Sequence, residues 1–279
     1  MKINAPAKIN LVLDVLNRRD DGYHNVKMVM QSLDLCDVVT VDKTDGGITI
    51  SSNSGAVPCD DTNIAYKAAK IMLREAKSDI GVHIDIQKNI PVAAGLAGGS
   101  TDGAAVLIAL NKMLDLNFSK QKLMEIGGKF GADVPYCVMQ GTALAQGTGT
   151  QLTQLAPYGN KTVLLVKPGI SVSTPWVYKN LDLTKASHPD VDKFIDAIKN
   201  KQYEKSYGYM GNVLESVTVK EYPVIDEIKQ KMYSLGASVS LMSGSGPTVF
   251  GIFENMQKAI DAAEIFKRDF KEVIVTQTV

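Results

Sequence analysis

Hydrophobic and polar positions alternate with a period of two through much of the first 55 residues, a pattern typical of β-strands. Leu11, Leu13 and Val15 fall on one side of such a strand, and the residues between them fall on the other. Turn signals rich in Asp and Gly separate further strand-like runs, namely VKMVMQSL, DVVTVD and ITISS. We therefore predict that the chain begins with several strands.

A helical period follows, and strands and helices then alternate irregularly. Apolar residues recur at intervals of three or four after Asp61-Thr62, which predicts a helix: Ile64, Ala68, Ile71 and Met72. The run GVHIDIQ at 81–87 predicts a half-buried strand. Val106 and Leu110 begin another helical face, and a further helix is expected from about Ser119 to Gly131. We expect residues 132–146 to return to strand.

The second half of the chain repeats this mixture after a polar, turn-rich stretch at 147–160. We place the domain boundary there, which gives domains 1–156 and 157–279. The predicted order is a strand at KTVLLVKP, helices starting near Pro189, Tyr203 and Pro223, a strand–loop–strand unit at SVSLMSGSGPTVFGIF, a helix from Asn255 to about Phe270 and a strand at EVIVTQ. Because strands and helices do not alternate strictly, the predicted fold class is α+β in both halves.

Composition and charge disfavour several classes of function. Among 279 residues, thirty basic side chains balance thirty acidic ones, so no net field favours nucleic acid or an anionic membrane as a partner. The three cysteines, Cys36, Cys59 and Cys137, form no CxxC pair, which favours free thiols of a reducing compartment. With no signal-like or membrane-spanning apolar run, we expect a cytoplasmic protein. The sequence leaves a homodimer open.

Residues 90–105, IPVAAGLAGGSTDGAA, carry the most specific chemistry. Gly95, Gly98 and Gly99 lie just before a predicted helix, and glycine backbones there let a ligand approach the N–H groups. A helix start adds unpaired donors and a positive dipole, which together bind phosphate. The stretch lacks the Walker A lysine, the GxGxxG spacing and the GxSxG nucleophile elbow. It is therefore either a phosphate loop of another class or an ordinary glycine-rich turn.

This stretch resembles the PxxxGLGSS-type loop of the GHMP kinases, and two more segments resemble the other motifs of that family in the same order. They are PAKINLVLDVLNRRDDGYHNV at 6–26 and LMSGSGPTVFGIF at 241–253. PAKINL joined to DGYH, with GADVPYCV at 131–138, resembles the branch that phosphorylates an alcohol carrying a cytidine diphosphate group. The resemblance implies an N-terminal domain like ribosomal protein S5 domain 2 and a C-terminal ferredoxin-like domain, with ATP and substrate meeting between them.

The resemblance also implies which residues bind MgATP. Ser100 is the choice for contacting the β- and γ-phosphates or Mg²⁺. No glutamate stands out as the second metal ligand that several GHMP kinases use, so the sequence leaves the direct metal ligands open. The implied nucleotide contacts are Asn63, Lys88, Pro91, Val92, Ala93, Ala94, Gly95, Leu96, Ala97, Gly98, Gly99, Ser100 and Thr101. Ala97 stands where the family commonly has glycine, so we expect that this position does not need a positive φ.

Two residues become catalytic candidates only through the resemblance. From the sequence alone, Asp133 reads as a cap or turn aspartate and Lys8 as a solvated lysine at the start of a strand. By the family pattern, Asp133 accepts the hydroxyl proton. The ammonium of Lys8 would lower the pKa of Asp133 or of the attacking hydroxyl and stabilise the developing charge. Asn10 would hold the hydroxyls of the acceptor.

The remaining family positions concern the cytidine diphosphate group of the substrate. Tyr23 and Tyr178 would stack on the base, and His24 can present a donor and an acceptor to its edge. Backbone N–H groups of Gly244, Ser245 and Gly246 would approach the diphosphate. Without the resemblance, the segments around Tyr23 and Gly244 read as plain hairpins, and the nearby Trp176 reads as packing.

Two other functions compete with this interpretation. Another GHMP kinase acting on homoserine or mevalonate would have no use for the aromatic set, because a small aliphatic alcohol gives those rings nothing to stack on. A non-catalytic nucleic-acid-binding protein with an S5-like fold is disfavoured by the zero net charge.

Overall fold

The two longest strands form from the alternating N-terminal segment. Strand β1 is Lys2–Arg18 and strand β2 is His24–Thr44 in the computed structural model, which describes residues 1–279. The two runs predicted within 26–42 join into this single strand. In the buried part of β1, apolar side chains lie on both faces.

The other strands are short, and the helices range from four residues in α7 to 16 in α2. The strands are β3 (Ile48–Ser52), β4 (Gly81–Gln87), β5 (Thr142–Gly147), β6 (Gln151–Gln154), β7 (Thr162–Lys167), β8 (Gly211–Asn212), β9 (Val239–Met242), β10 (Val249–Phe253) and β11 (Glu272–Gln277). The helices are α1 (Ile64–Glu75), α2 (Gly98–Met113), α3 (Lys120–Gly128), α4 (Val134–Met139), α5 (Thr174–Lys179), α6 (Val191–Lys199), α7 (Tyr203–Ser206), α8 (Glu215–Glu221), α9 (Val224–Ser234) and α10 (Met256–Phe266). None of these helices is long and apolar enough to cross a membrane.

The chain divides into two units that interleave along the sequence. The first unit is Met1–Ala7, Leu35–Val92 and Ala97–Gln140, and the second is Lys8–Asp34, Ala93–Leu96 and Gly141–Val279. The domain boundary at residue 156 stays a prediction.

The first unit packs four helices with β3, β4 and the second half of β2, which are part of a seven-stranded sheet. The second half of β2 pairs antiparallel with β4, with Val41 opposite Ile84, and β3 pairs parallel with β4. Helices α1 and α2 pack together, and α4 contacts both α2 and α3. Residues 88–97 connect β4 to the start of α2.

The second unit contains two groups of strands. The first half of β2 pairs antiparallel with β5, and β1 pairs parallel with β8, so that Leu13 lies opposite Asn212. The other sheet is antiparallel throughout, in the order β11-β7-β10-β9. One of its two central strands, β10, is buried along its whole length, as the apolar run VFGIF predicts.

Several predicted elements are confirmed and one is wrong. The helices that begin near residues 64, 191, 203 and 224 form as expected, whereas 134–139, predicted as strand, is the helix α4. Five consecutive residues of VPYCVM are buried, so no polar face reveals a helical period. Pro135 in the first turn is the available helix signal. Helices α3 and α10 also end earlier than predicted, at Gly128 and Phe266, and α5 and α8 were not predicted.

Candidate functional site

The glycine loop, residues 91–97, owes its shape to left-handed backbone at three positions. Ala93, Gly95 and Ala97 have φ of 53°, 74° and 60°. The expectation that Ala97 needs no positive φ is therefore wrong, because alanine adopts this conformation at a cost that the surrounding structure supports. At Gly95 the constraint is stronger, since an added Cβ would lie 2.4 Å from the carbonyl oxygen of Ser243.

The first turn of α2 follows the loop and is suited to an anion. The residue before the helix, Ala97, has no side chain that can cap it, and no acidic residue lies in the first turn. Gly99 is exposed and has only one atom, 3.9 Å away, near the position of a Cβ, while Ser100 is half-buried. The N–H groups of this turn and the helix dipole therefore favour a phosphate, as the sequence predicts.

Lys88 lies beneath the start of α2 in a buried cluster of charges. Its ammonium binds the carboxylate of Asp37 and, at 2.9 Å, that of Asp102. Only 6% of the Lys88 side chain is exposed, and its Nζ lies 3.0 Å from where a Cβ of Gly98 would stand. The predicted nucleotide contact at Lys88 thus involves a residue whose ammonium already holds two carboxylates. We call Asp37, Lys88 and Asp102 the buried triad.

Asp37 ties the triad to the strand–loop junction. Its Oδ1 accepts hydrogen bonds from the backbone N–H groups of Asn89 and Ile90, at 2.7 and 2.8 Å. Because this carboxylate meets three donors, its burial at 0% side-chain exposure is compensated. The chain is thereby fixed immediately before the glycine loop.

Asp102 is the residue of the triad whose charge is least compensated. Burial raises its pKa to about 7, with Asp37 adding to the rise and the ammonium of Lys88 opposing it. Its Oδ1 and the neighbouring Thr101 Oγ1 are buried without a hydrogen-bond partner. Neither Asp37 nor Asp102 was predicted from the sequence, although an aspartate in a glycine-rich helix start is a usable signal.

Asn63 caps helix α1. Its Oδ1 accepts from the N–H of Ala65 at 2.8 Å, and its Nδ2 donates to the carbonyl of Pro58 at 2.7 Å. With 8% of the residue exposed, the amide is committed to the helix start.

Asp133 stands at the N-cap position of α4 and is half-buried. Its side chain makes no capping hydrogen bond to that helix. Of the two roles that the sequence alone favours, a cap or a turn aspartate, the turn position is therefore confirmed and the side-chain cap is wrong.

Lys8, Asn10 and Gly244 come together in the second unit. The ammonium of Lys8 donates to Asn10 Oδ1 at 2.8 Å, and only 5% of Lys8 is exposed. A Cβ at Gly244 would lie 3.6 Å from Lys8 Nζ and 3.5 Å from Asn10 Oδ1. The structure thus brings the first and third sequence motifs to one place, and the lysine is not the solvated residue that its position in the sequence suggests.

The loop from Ser243 to Gly246 is held by side chains from several segments. Ser243 Oγ donates to the carbonyl of Gly95 at 3.0 Å, which adds the second motif to the same place. Asn212 Nδ2 donates to the carbonyl of Gly244 at 2.7 Å. The hydroxyls of Thr174 and Ser245 are 2.6 Å apart, so α5 is tied to the loop.

Two of the three predicted aromatic residues lie together. The rings of His24 and Tyr178 have centroids 5.2 Å apart and planes tilted by 40°. Burial, with the nearby charge of Arg18, lowers the pKa of His24, so the ring is neutral at neutral pH and offers one donor and one acceptor. Tyr23 is 68% exposed, and Trp176 is half-buried.

Known proteins match this chain along its whole length. Models of the GHMP kinase N-terminal and C-terminal domains match residues 63–141 and 190–272. Proteins named 4-diphosphocytidyl-2-C-methyl-D-erythritol kinase are 48% identical in Clostridium botulinum and 49% in Acetivibrio thermocellus, covering 100% of this chain and 100% and 99% of theirs. A crystal structure of 4-(cytidine 5'-diphospho)-2C-methyl-D-erythritol kinase is 32% identical, covers 100% of this chain and 99% of that chain, and superposes with a TM-score of 0.87.

The chain belongs to the GHMP kinase family. It is a phosphotransferase of that family, with the two-domain α+β fold that the motifs predict.

Proposed function

We propose that this chain transfers the γ-phosphate of ATP to the 2-hydroxyl of 4-diphosphocytidyl-2-C-methyl-D-erythritol, giving the 2-phosphate and ADP. This reaction belongs to the non-mevalonate route to isoprenoid precursors. The observation that carries the proposal is the cluster of Lys8, Asn10 and Gly244 together with the paired rings of His24 and Tyr178. Full-length relatives bearing this kinase name support it.

The nucleotide phosphates bind at residues 91–101 in this proposal. The uncapped first turn of α2 supplies backbone N–H donors, and the glycine loop lets the phosphates approach them. Several side chains of the predicted set serve the scaffold instead, because Ala94, Leu96 and Thr101 are buried. Pro91, Val92 and Ala93, like Asn63 and Lys88, stay proposed nucleotide contacts.

The transfer itself needs charge stabilisation and a group that takes the hydroxyl proton. We assign the proton to a carboxylate oxygen of Asp133 and the stabilising charge to Lys8. The amide of Asn10, already bound to the Lys8 ammonium, orients the acceptor hydroxyls. Backbone N–H groups of residues 244–246 approach the substrate diphosphate.

The cytosine ring is read by three side chains. Tyr178 and the exposed Tyr23 provide faces for stacking. His24, neutral because of its lowered pKa, donates one hydrogen bond and accepts another at the edge of the base. Homoserine and mevalonate offer no ring for this set.

Mg²⁺ accompanies the nucleotide in the proposal. No group of three or more His, Cys, Asp or Glu residues forms an all-protein metal site. A nucleotide-borne Mg²⁺ takes one or two protein oxygens beside phosphates and water, and Ser100 Oγ is the oxygen we assign. A cytoplasmic location and the absence of nucleic-acid partners are further parts of the proposal.

A substrate panel tests the acceptor. Purified protein receives MgATP with 4-diphosphocytidyl-2-C-methyl-D-erythritol, homoserine or mevalonate, and ADP release is followed. We expect turnover with the cytidyl substrate alone. Turnover confined to homoserine or mevalonate contradicts the proposed substrate.

The variant Asp133→Asn tests the assigned base. We expect kcat to fall about 100-fold or more, in the range typical of a lost general base, while ATP still binds with wild-type affinity by calorimetry. Turnover equal to that of the wild type removes Asp133 from this role.

A further inference from the structure

The turn that carries Tyr23 and His24 is held by a bidentate ion pair. Arg19 Nη2 donates to Asp21 Oδ2 at 2.9 Å, and Arg19 Nε lies 3.0 and 3.2 Å from the two oxygens of the same carboxylate. This fork geometry fixes both partners, which a single contact from a lysine would not. The strong pairing lowers the pKa of Asp21.

The same pair holds the backbone of Tyr23 on both sides. Asp21 Oδ1 accepts the N–H of Tyr23 at 3.1 Å, while the N–H of Arg19 donates to the carbonyl of Tyr23 at 2.8 Å. Gly22, between them, has a φ of 84°, and its N–H donates to the Arg19 carbonyl at 3.1 Å. Both backbone polar groups of Tyr23 are therefore fixed before any ligand arrives.

A second set of bonds reaches the residue after His24. Arg19 Nη1 donates to Asn25 Oδ1 at 3.3 Å, and Asn25 Nδ2 donates to Asn17 Oδ1 at 2.7 Å. Tyr23 and His24 thus lie between two anchored points of the chain. We call Asn17, Arg19, Asp21 and Asn25 the hairpin clamp.

Burial does not explain the side-chain hydrogen bonds of the clamp. The side chains of Arg19 and Asp21 are 40% and 47% exposed, and exposed ion pairs add little to stability. Tyr23 is itself 68% exposed, so the clamp orders a residue that the core does not use. The clamp side chains border an open cavity of about 500 Å³.

We propose that the hairpin clamp is a positioning device for substrate recognition: Arg19 and Asp21 hold Tyr23 and His24 in the arrangement that receives the cytosine ring. This inference rests on the proposed function. A turn ordered in advance loses less conformational freedom on binding, so it increases affinity without adding a contact. Arg19 and Asp21 are positioning residues, since they act through the two residues that touch the base.

The chain offers a matched control for Asp21, because its neighbour Asp20 carries the same group and accepts none of the clamp bonds. We expect Asp21→Ala to raise the KM for the cytidyl substrate about tenfold, as expected when a preordered binding residue becomes free. Asp21→Asn, which keeps an oxygen for the Tyr23 N–H but loses the charge, should give a smaller rise. Asp20→Ala and Asp20→Asn should have the same KM for the cytidyl substrate as the wild type.

Arg19 has a matched control in the adjacent Arg18, which borders the same cavity. Arg19→Lys keeps the charge but not the fork, so we expect it to raise the KM for the cytidyl substrate several-fold. Arg18→Lys keeps the positive charge near His24 and should leave this KM unchanged at pH 8, where His24 is neutral. In all these variants the KM for ATP and the melting temperature should equal the wild-type values. Hydrogen exchange of the Tyr23 amide in the free protein should quicken in Asp21→Ala.

The outcomes distinguish a failure of the proposed function from a failure of the hairpin clamp. A wild-type protein that does not turn over the cytidyl substrate contradicts the proposed function. A wild type that does, with equal KM values for Asp21→Ala and Asp20→Ala, overturns the clamp alone. A parallel rise in the KM for ATP, or a lowered melting temperature, also overturns it, because either result indicates a general structural role.

Discussion

The buried triad and the hairpin clamp use the same chemistry in opposite surroundings. Each joins a basic side chain to a carboxylate beside a segment proposed to bind ligand. In the triad, Asp37, Lys88 and Asp102 are between 0% and 6% exposed, whereas the Arg19–Asp21 pair is 40% and 47% exposed. Burial makes the loss of one partner costly in the first set, and exposure leaves the second to shape a surface turn.

The largest effect should come from breaking the triad. We expect Lys88→Met to lower the free energy of unfolding by about 3–5 kcal/mol, the usual result of leaving buried carboxylates without their cation. Urea denaturation measures the loss. The surface pair Lys193–Asp190, at 2.9 Å and with Lys193 64% exposed, provides the control.

The control variant Lys193→Met should change the free energy of unfolding by less than about 1 kcal/mol. Equal losses in Lys193→Met and Lys88→Met would contradict the distinction between buried and exposed pairs drawn from the structure.

A substitution at Gly95, where the loop backbone lies close to Ser243, should have an effect nearly as large. We expect Gly95→Ala to lower kcat/KM for ATP about 100-fold, a typical result of displacing a binding loop by about 1 Å. Its Cβ would meet the Ser243 carbonyl at 2.4 Å, and its φ of 74° adds strain. Steady-state kinetics with ATP as the varied substrate measures the change.

Gly236 is a control that has the backbone strain of a positive φ without a steric clash. Its φ is 93°, but no atom lies within 4 Å of an added Cβ. Gly236→Ala should therefore leave kcat/KM unchanged and destabilise the protein by about 1 kcal/mol. If both alanine variants keep full activity, close approach to Ser243 does not explain the glycine at 95.

A smaller, pH-dependent effect should appear on the substrate side. Burial and the charge of Arg18 lower the pKa of His24. The ring therefore gains a proton only at a pH below the ordinary pKa of histidine, which is about 6.5. The protonated ring has two donors and no acceptor. We expect the KM for the cytidyl substrate to stay flat from pH 8 to 6.5 and to rise a few-fold only at lower pH.

Arg18→Gln sharpens this test, because it removes one cause of the lowered pKa. The rise in KM should then begin at higher pH, while the KM for ATP follows its wild-type profile. A wild-type KM for the cytidyl substrate that already rises between pH 8 and 7 would contradict a lowered pKa at His24.

The sequence predicts features that depend on the spacing of neighbouring residues. It does not predict contacts between side chains that lie far apart along the chain. The spacing of the glycines around Gly95 predicts a turn, and the helical period after it predicts the start of α2. The buried triad is not predicted in this way, because Asp37 and Asp102 lie 51 and 14 residues from Lys88, and no local pattern joins them. Helix α4 was read as strand because burial on all sides removes the period that distinguishes the two.

Ala97 marks another limit of sequence reasoning, and it gives the smallest predicted effect. Alanine at a φ of 60° carries about 1 kcal/mol of strain, which glycine would relieve. Glycine would also give the unfolded chain more freedom, at a cost of about 0.4–1 kcal/mol. Because the two terms nearly cancel, we expect Ala97→Gly to change the free energy of unfolding by less than about 0.5 kcal/mol.

The same variant should change the KM for ATP less than about twofold, since both residues leave the first turn of α2 uncapped. Urea denaturation and steady-state kinetics measure the two quantities beside Gly95→Ala. A gain of more than about 1 kcal/mol would mean that the strain at Ala97 exceeds the ordinary left-handed cost. A loss of that size would mean that the methyl group of Ala97 makes a contact on which the loop depends, and the contrast between positions 95 and 97 would then rest on packing at both.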